Sequence, residues 1–270
     1  IDHIFTRQVN QIAPALPTIF SVPYLSSPLA IKLMTQDQKK AYRKERRQQT
    51  QLLQAWWIDK MLTTSNPVTE NLTLFWHNHF ATSLQKVKHP ALMAVQNQTL
   101  RKHAKGNFKT FLHAMIKDPA LLLYLDNNRN RNNKPNENLA RELMELFTLG
   151  EGHYTEADVK NGALALSGYS FKHKRGTFVF NTRQHNNTVK NILGYTGNWN
   201  GDDFIDILLK QKQTARFIIR KFWAHYITTP IPLATLARLT DGFYQNYEIT
   251  PLLQNILQQP DFWHKNNKGT

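Results

Sequence analysis

The chain has 270 residues, with 34 Lys and Arg against 19 Asp and Glu, so its formal net charge is +15 at pH 7, and it contains no cysteine. The absence of cysteine excludes disulfides, thiolate metal sites and thiol catalysis. A charge of this sign and size attracts polyanions such as nucleic acid, anionic lipid or acidic polysaccharide; the alternative is a cationic surface without a dedicated ligand. No run of about 18 apolar residues occurs, so no transmembrane segment is expected.

The first predicted element is a long basic helix. Thr35 and Gln38 have the spacing of a capping box, and residues 35–62 follow as a basic N-terminal helical region with apolar positions in its later part. The early stretch KKAYRKERR places six cations within nine positions. We predict that these cations bind the phosphate or sulfate groups of a polyanion, the alternative being a solvated helix face. They are Lys39, Lys40, Arg43, Lys44, Arg46 and Arg47.

Two histidines stand near the end of the next predicted helix, which begins with Asn66 as its cap and Pro67 in its first turn. His77 and His79 point about 200° apart on a continuous α-helix, so they cannot share one metal there. His79 falls on the apolar face and is expected to be a core residue. His77 is therefore the better functional candidate.

The remaining pattern predicts a mainly α fold, a single multi-helix domain over residues 1–270 with one small β-hairpin insertion. Alternating residues on both sides of a Lys-Arg-Gly turn place the hairpin around 170–182. Gly150 has the position of a helix C-terminus and ends a helix over 137–149. Further C-terminal helices are expected over 201–260.

The helix over 137–149 carries an unusual polar stripe for so basic a chain. Four polar residues are three, four or seven positions apart and therefore share one face of an α-helix: Asn138, Arg141, Glu142 and Glu145. The opposite face consists of Leu139, Leu143, Leu146 and Phe147. Arg141 can pair with Glu137 or with Glu145. Three interpretations are open: a solvent-facing surface, a buried Arg–Glu network that locks helix packing, or part of a site.

Several long sequence blocks occur in a characteristic order between Trp56 and Gly194. They are WWIDKMLTT, NPVTENLTLFWHNHFAT, LRKHAKGNF, DPALLLYLDNNRN, NENLARELMELFTLGEGHYTEADV and LSGYSF. This order resembles that of the bacterial DUF1800 family, with residues 56–194 as the motif core. Members of the family are largely uncharacterised, so the resemblance implies no particular reaction.

The family resemblance also implies a location and a partner. Members are often exported and often encoded beside a second family of exported proteins, DUF1501. We therefore expect a periplasmic or secreted protein with a DUF1501-type partner, although the first residues, IDHIFTRQVN, lack a signal-peptide pattern. The chain is expected to begin and end short of the full family length.

The resemblance further assigns a set of polar residues to family motif positions, where a shared cavity is favoured over a solvated surface. Two departures concern His185-Asn186, where the family pattern has His-Asp, and Glu70-Asn71, where it has Glu-Lys. The assigned residues are Glu70, His77, His79, Arg101, His103, Asn107, Asp126, Asn136, Glu137, Asn138, Arg141, Glu142, Glu145, Tyr154 and Asp158.

The first functional hypothesis is an exported enzyme that acts on an anionic polymer such as an acidic polysaccharide. Glu142 or Glu145 would be the general acid or base, and Arg141 would hold charge beside them. His77 would relay protons or bind a divalent metal, for which His77, His79 and Glu142 are the candidate ligands. This hypothesis requires the acidic side of the 137–149 helix to face a cavity in which His77 meets it.

The alternative is a non-catalytic polyanion-binding or assembly protein of the cell envelope. It would use the basic helix, and the polar stripe would be a buried structural lock. Nucleic-acid binding is a third hypothesis, which the charge fits although no recognised nucleic-acid motif accompanies it. HExxH, Gly-rich phosphate loops and Gly-x-Ser-x-Gly are also missing from the sequence.

Overall fold

The described part of the chain is built mostly from helices, as the sequence predicts. A computed structural model describes residues 14–20, 26, 28–264 and 267. The first helices are α1 Pro28–Leu33, α2 Gln36–Thr63, α3 Pro67–His79, α4 Leu84–Val87, α5 Pro90–His103, α6 Phe108–Met115 and α7 Pro119–Tyr124. They are followed by α8 Asn138–Glu142, a π-helix Leu143–Thr148 and α9 Glu156–Ala165. The C-terminal helices are α10 Gly201–Leu209, α11 Lys212–Tyr226, α12 Leu233–Asn246, α13 Ile249–Leu257 and α14 Pro260–Trp263.

Side-chain caps fix where several helices begin. The predicted capping box of Thr35 and Gln38 is formed at α2, and Asn66 caps α3. A second capping box, between Thr155 and Asp158, begins α9. Each cap gives an acceptor to a backbone N–H that has no partner inside its helix, so these boundaries are encoded locally.

The predicted β-hairpin is present, and a second one follows it. Strand β1 (Tyr169–Lys172) pairs antiparallel with β2 (Thr177–Phe180), with Tyr169 opposite Phe180. Strand β3 (Lys190–Ile192) pairs with β4 (Tyr195–Gly197) in a separate two-stranded sheet.

The turn of the second hairpin explains why the sequence does not reveal it. Leu193 and Gly194 both have positive φ, at 51° and 84°. Such turns are normally recognised by Asn-Gly or Asp-Gly, because leucine rarely adopts the left-handed region. Here the backbone N–H of Leu193 donates to Asp158 Oδ1 at 2.6 Å. The turn is thus supported by a contact from α9 that local sequence does not show.

An aromatic cluster around Trp76 joins helices that are far apart in sequence. The fully buried Trp76 ring stacks on Phe108 of α6, with centroids 5.6 Å apart, and meets Phe222 of α11 edge-on at 5.4 Å. Its indole N–H donates to the backbone oxygen of Ala104 at 3.0 Å. These contacts pack α3, α6 and α11 around one apolar core.

Helix α2 is 28 residues long, and its contacts with the rest of the fold include those with α3 and α5. Leu53 and Trp56 are its buried residues; the Trp56 ring lies against Arg101 of α5, and its indole N–H donates to the backbone oxygen of Pro14 at 3.1 Å. The first half of α2 is mostly exposed. No helix within the described ranges has both the length and the apolar character that a membrane crossing requires.

Candidate functional site

The helix that carries the predicted polar stripe changes type half way along. It is an α-helix only over Asn138–Glu142 and continues as a π-helix over Leu143–Thr148. The helix is where the sequence predicts it, but the prediction of one α-helix over 137–149 is wrong for its second half. The wider π turn rotates the later residues, so Leu146, expected on the apolar face, is 46% exposed.

Arg141 binds the start of the next helix. Its Nη1 and Nη2 donate to the two carboxylate oxygens of Glu156 at 2.7 and 2.8 Å, and Nη2 also reaches Glu137 at 3.3 Å. The predicted pairing with Glu137 is confirmed, whereas the pairing with Glu145 is not formed. This bidentate ion pair connects α8 to the first turn of α9. Because Glu156 is well exposed, solvent screens the pair.

The two glutamates of the stripe differ in their surroundings. Tyr154 donates its hydroxyl to Glu145 Oε2 at 2.6 Å, and burial together with this bond raises the pKa of Tyr154 to about 12. The half-buried Glu142 carboxylate has no hydrogen-bond partner among the described residues. Burial, and then the nearby charge of Glu145, raise the pKa of the Glu142 carboxyl. The structure therefore brings Arg141, Glu142 and Glu145 together.

His79 is a core residue, as expected from its position. It is 5% exposed, and its Nε2 lies 3.2 Å from the backbone oxygen of Phe147. Lys221 of α11 donates to Nδ1 of His79 at 3.2 Å and to the backbone oxygen of Leu146 at 2.9 Å. Burial, with the Lys221 charge, holds the pKa of His79 well below its usual value. Since Lys221 has no acceptor, His79 carries its proton on Nε2 and donates it to Phe147.

His77 lies elsewhere, in a cleft between α2, α3 and α5 that we name the seam cleft. Its ring meets the indole of Trp57 edge-on, with centroids 5.0 Å apart. The cleft has a volume of about 420 Å³, and Asn97 of α5 is part of its lining. Burial lowers the pKa of His77, so its ring is neutral at pH 7. No residue of the polar stripe lines this cleft, so the structure does not bring His77 to Glu142 or Glu145 there.

A buried ion pair lies next to Asn97, one of the residues that line the seam cleft. Arg101 donates from Nε and Nη2 to the two carboxylate oxygens of Glu70 at 2.6 and 2.8 Å. Its Nη1 donates to Asn97 Oδ1 at 2.7 Å. The Asn97 amide nitrogen is buried without a hydrogen-bond partner in the described part of the chain. The sequence analysis missed Asn97 and assigned no functional role to Trp57. The four-residue spacing of Asn97 and Arg101 was the available indication.

The predicted polyanion-binding cations lie on the exposed first half of α2. Lys40, Arg43, Lys44 and Arg47 are exposed, whereas Lys39 and Arg46 are half-buried. Within the described ranges, none of the six forms a salt bridge with a carboxylate. Three of them line a shallow depression of about 310 Å³ together with Thr50: Arg43, Arg46 and Arg47.

The candidate metal ligands are not gathered at one point. In the part of the chain that the structure describes, no group of three or more His, Cys, Asp or Glu side chains could hold a metal ion. His77, His79 and Glu142 therefore do not form such a group. His79 uses both ring nitrogens in the contacts described above.

Comparison with known proteins supports the resemblance found in the motif blocks. A family model described as "Protein of unknown function (DUF1800)" matches residues 2–270, which is essentially the whole chain. The comparisons with curated proteins and with solved structures gave no match. The order of motif blocks, the helical fold and the extent of this match lead to one conclusion. The chain belongs to the DUF1800 family.

Proposed function

We propose that the protein binds an acidic polysaccharide of the cell envelope through the cationic face of α2, without acting on it as an enzyme. One observation carries this proposal. Six Lys and Arg side chains between Lys39 and Arg47 have no carboxylate partner in the described residues, and three of them line one surface depression.

Unpaired cations on one helix face favour a polyanion for a thermodynamic reason. A polyanion that binds them releases its condensed counterions, and this release makes binding favourable and strongly dependent on salt. Glu45, the acidic residue within the cationic stretch, accepts a hydrogen bond from Gln49 at 3.1 Å and neutralises none of the arginines by a salt bridge. The face thus keeps its charge available to a ligand.

A charge-removal experiment tests the proposal. The double variant Arg43→Gln/Arg47→Gln removes two cations one helical turn apart on α2. Its matched control, Arg216→Gln/Arg220→Gln, removes two exposed cations with the same spacing on α11. Heparin binding is measured over a salt series. We expect the α2 variant to bind heparin more weakly than the wild type. When log K is plotted against the logarithm of the salt concentration, its slope should be shallower by on the order of one for each lost contact.

Two results would contradict the proposal. Equal losses in both double variants would show that heparin responds to net charge alone. Tighter and equally α2-dependent binding of duplex DNA would favour the nucleic-acid hypothesis instead.

A second candidate function is catalysis on the same kind of polymer, with Glu142 as general acid, Glu145 as its partner and Arg141 holding charge nearby. Burial raises the pKa of the half-buried Glu142 carboxyl, and this direction favours the protonated form that a general acid needs. The bonds of Arg141 to Glu156 and the separate cleft of His77 do not support the complete constellation. Two carboxylates from one helical turn also do not flank a glycosidic bond.

The catalytic candidate has its own test. Purified protein is incubated with heparin and with alginate, and new reducing ends are measured. Cleavage that disappears in Glu142→Gln would support catalysis, whereas binding without cleavage supports the first proposal.

An exported location and a DUF1501-type partner are also part of the first proposal, and they rest on the family's usual properties.

A further inference from the structure

A second cavity lies on the same seam between α2 and α5 as the seam cleft. Its volume is about 490 Å³, and its lining includes Tyr42, Arg46 and Gln49 of α2 together with His89 and Pro90 at the start of α5. Most α2 residues of the two cavities lie on one face of the helix, because positions such as 38, 42, 45, 49, 53 and 56 are three or four apart. From Gln38 to Trp57 this face spans about 28 Å of helix.

Asn97, which belongs to the lining of the seam cleft, has its side-chain amide held in a fixed orientation. The guanidinium of Arg101 has no acceptor, so the oxygen of the Asn97 amide must face it and the NH₂ group must point away. Asn97 is 5% exposed, and its NH₂ has no partner among the described residues. A buried donor without an acceptor is unfavourable, and a ligand oxygen would satisfy it.

The donor is held rigidly before any ligand arrives. The two bonds between Arg101 and Glu70 fix the guanidinium, which also lies over the Trp56 ring at 5.3 Å. An amide held in this way loses little freedom on binding, which increases affinity.

The rest of the seam cleft is neutral and aromatic. Trp57 and His77 form a corner of two perpendicular rings, and Met93 adds apolar surface. Neutral His77 offers one donor and one acceptor. A sugar ring has matching chemistry, because its hydroxyls both donate and accept and its C–H face packs against an indole.

The neighbouring cavity offers an anion one cation, Arg46, and the Glu45 carboxylate also belongs to its lining. The Nε of Arg46 is buried and has no hydrogen-bond partner in the described ranges, and its guanidinium lies 5.4 Å from the centre of the Tyr42 ring. Arg46 also belongs to the cationic face of α2. A charged substituent near Arg46 would therefore extend the proposed polyanion contact along the seam.

We propose that the α2–α5 seam is an extended saccharide-binding groove, in which the seam cleft holds one sugar ring on Asn97, His77 and Trp57 while Arg46 binds an acidic substituent of the same chain. This inference rests on the proposed function and specifies its ligand. A saccharide fits this groove, since a polyanion without rings would leave the Asn97 donor and the aromatic corner unused.

Two cleft variants and two probes test the inference. Trp57→Leu removes the aromatic wall without a change of charge. Asn97→Asp keeps the oxygen that Arg101 binds and replaces the unpaired NH₂ by an oxygen. Gln51→Glu adds the same charge at an exposed position of α2 and is its control. The probes are a heparin fragment, which has sugar rings, and inorganic polyphosphate, which has none.

We expect both cleft variants to bind the heparin fragment about tenfold more weakly than their controls, as for the loss of one good contact. The affinity of Trp57→Leu for polyphosphate should equal that of the wild type. The affinity of Asn97→Asp for polyphosphate should equal that of its control, Gln51→Glu. Unchanged heparin binding, or equal losses for both probes, would overturn the inference. If the Arg43→Gln/Arg47→Gln variant still binds both probes more weakly than the wild type, the proposed function stands although the groove inference fails. A wild type that binds neither probe contradicts both the proposed function and the groove inference.

A measurement on the wild type covers the case in which a cleft variant does not fold. Affinity for heparin fragments of increasing length should rise until the fragment spans about 28 Å of α2 and then level off. Affinity that is already maximal for the shortest fragment would contradict an extended groove.

Discussion

Single polar atoms without partners are concentrated around α5. Among the described residues, buried side-chain atoms that lack a hydrogen bond include the Asn97 NH₂, Arg46 Nε and Asp118 Oδ2. Asp118 connects to the seam cleft through Gln96, whose amide donates to Asp118 Oδ1 at 2.8 Å and accepts from the Thr82 hydroxyl. The unpaired atoms of Asn97 and Arg46 support ligand binding, whereas that of Asp118 has a consequence for stability.

Asp118 makes the fold sensitive to pH. It is 3% exposed, and burial raises the pKa of its carboxyl from 3.8 to about 7. A group whose pKa is raised on folding stabilises the protein below its unfolded pKa, and this contribution is lost as the pH rises towards its folded pKa. The free energy of unfolding should therefore fall between pH 3.8 and about 7, by up to about 4 kcal/mol.

The variant Asp118→Asn tests this sensitivity, because it keeps the acceptor for the Leu121 N–H but cannot ionise. We expect a shallower decrease of unfolding free energy with pH, measured by urea denaturation. Some slope remains because hydrogen bonding to Asp202 raises the pKa of His113, which also loses stabilisation as pH rises. A variant with the full slope of the parent would show that Asp118 is ionised in the fold.

At the scale of elements, the π-helix depends on partners from other helices. The carbonyl oxygens of Leu146 and Phe147 lie near its end, where the helix leaves backbone acceptors without internal donors. Lys221 of α11 donates to the first, and His79 of α3 donates to the second. These two side chains join three elements around the end of the polar stripe.

The variant Lys221→Met tests the contribution of these bonds, because methionine has similar length but donates nothing. It leaves the Leu146 oxygen and His79 Nδ1 without their donor, so we expect the free energy of unfolding to fall by about 1–3 kcal/mol. The control Lys212→Met lies on the same helix and breaks an exposed ion pair with Asp241, which should change it by less than about 1 kcal/mol. Equal effects of the two substitutions would contradict this role of Lys221.

The elements that the sequence predicts are those with local signatures. Caps such as Thr35 and Asn66 depend on neighbours three residues away, so the helix starts are visible in the sequence. The π-helix has no comparable signature, because its stabilising donors, His79 and Lys221, come from distant segments. The cleft was missed for the same reason: the Asn97 amide is oriented by Arg101, which Glu70 holds from another helix.

At the scale of the whole molecule, α2 carries both unpaired cations and residues that line two cavities. The cations behind the net charge of +15 differ in their partners. Arg101 and Arg141 form salt bridges with carboxylates, whereas the cations between Lys39 and Arg47 form none in the described residues. The same helix continues from the cationic face to Trp57 in the seam cleft. In the proposed groove a chain-like acidic ligand would lie along α2, and no residue of the polar stripe lines either cavity.

Amide hydrogen exchange of the wild-type protein, with and without a heparin fragment, tests the polyanion proposal most directly. The account predicts slower exchange in α2 and at the start of α5 when the fragment is bound, and this protection should disappear at high salt. Protection confined to residues 137–156, around Glu142 and Arg141, would contradict the account and favour the catalytic candidate.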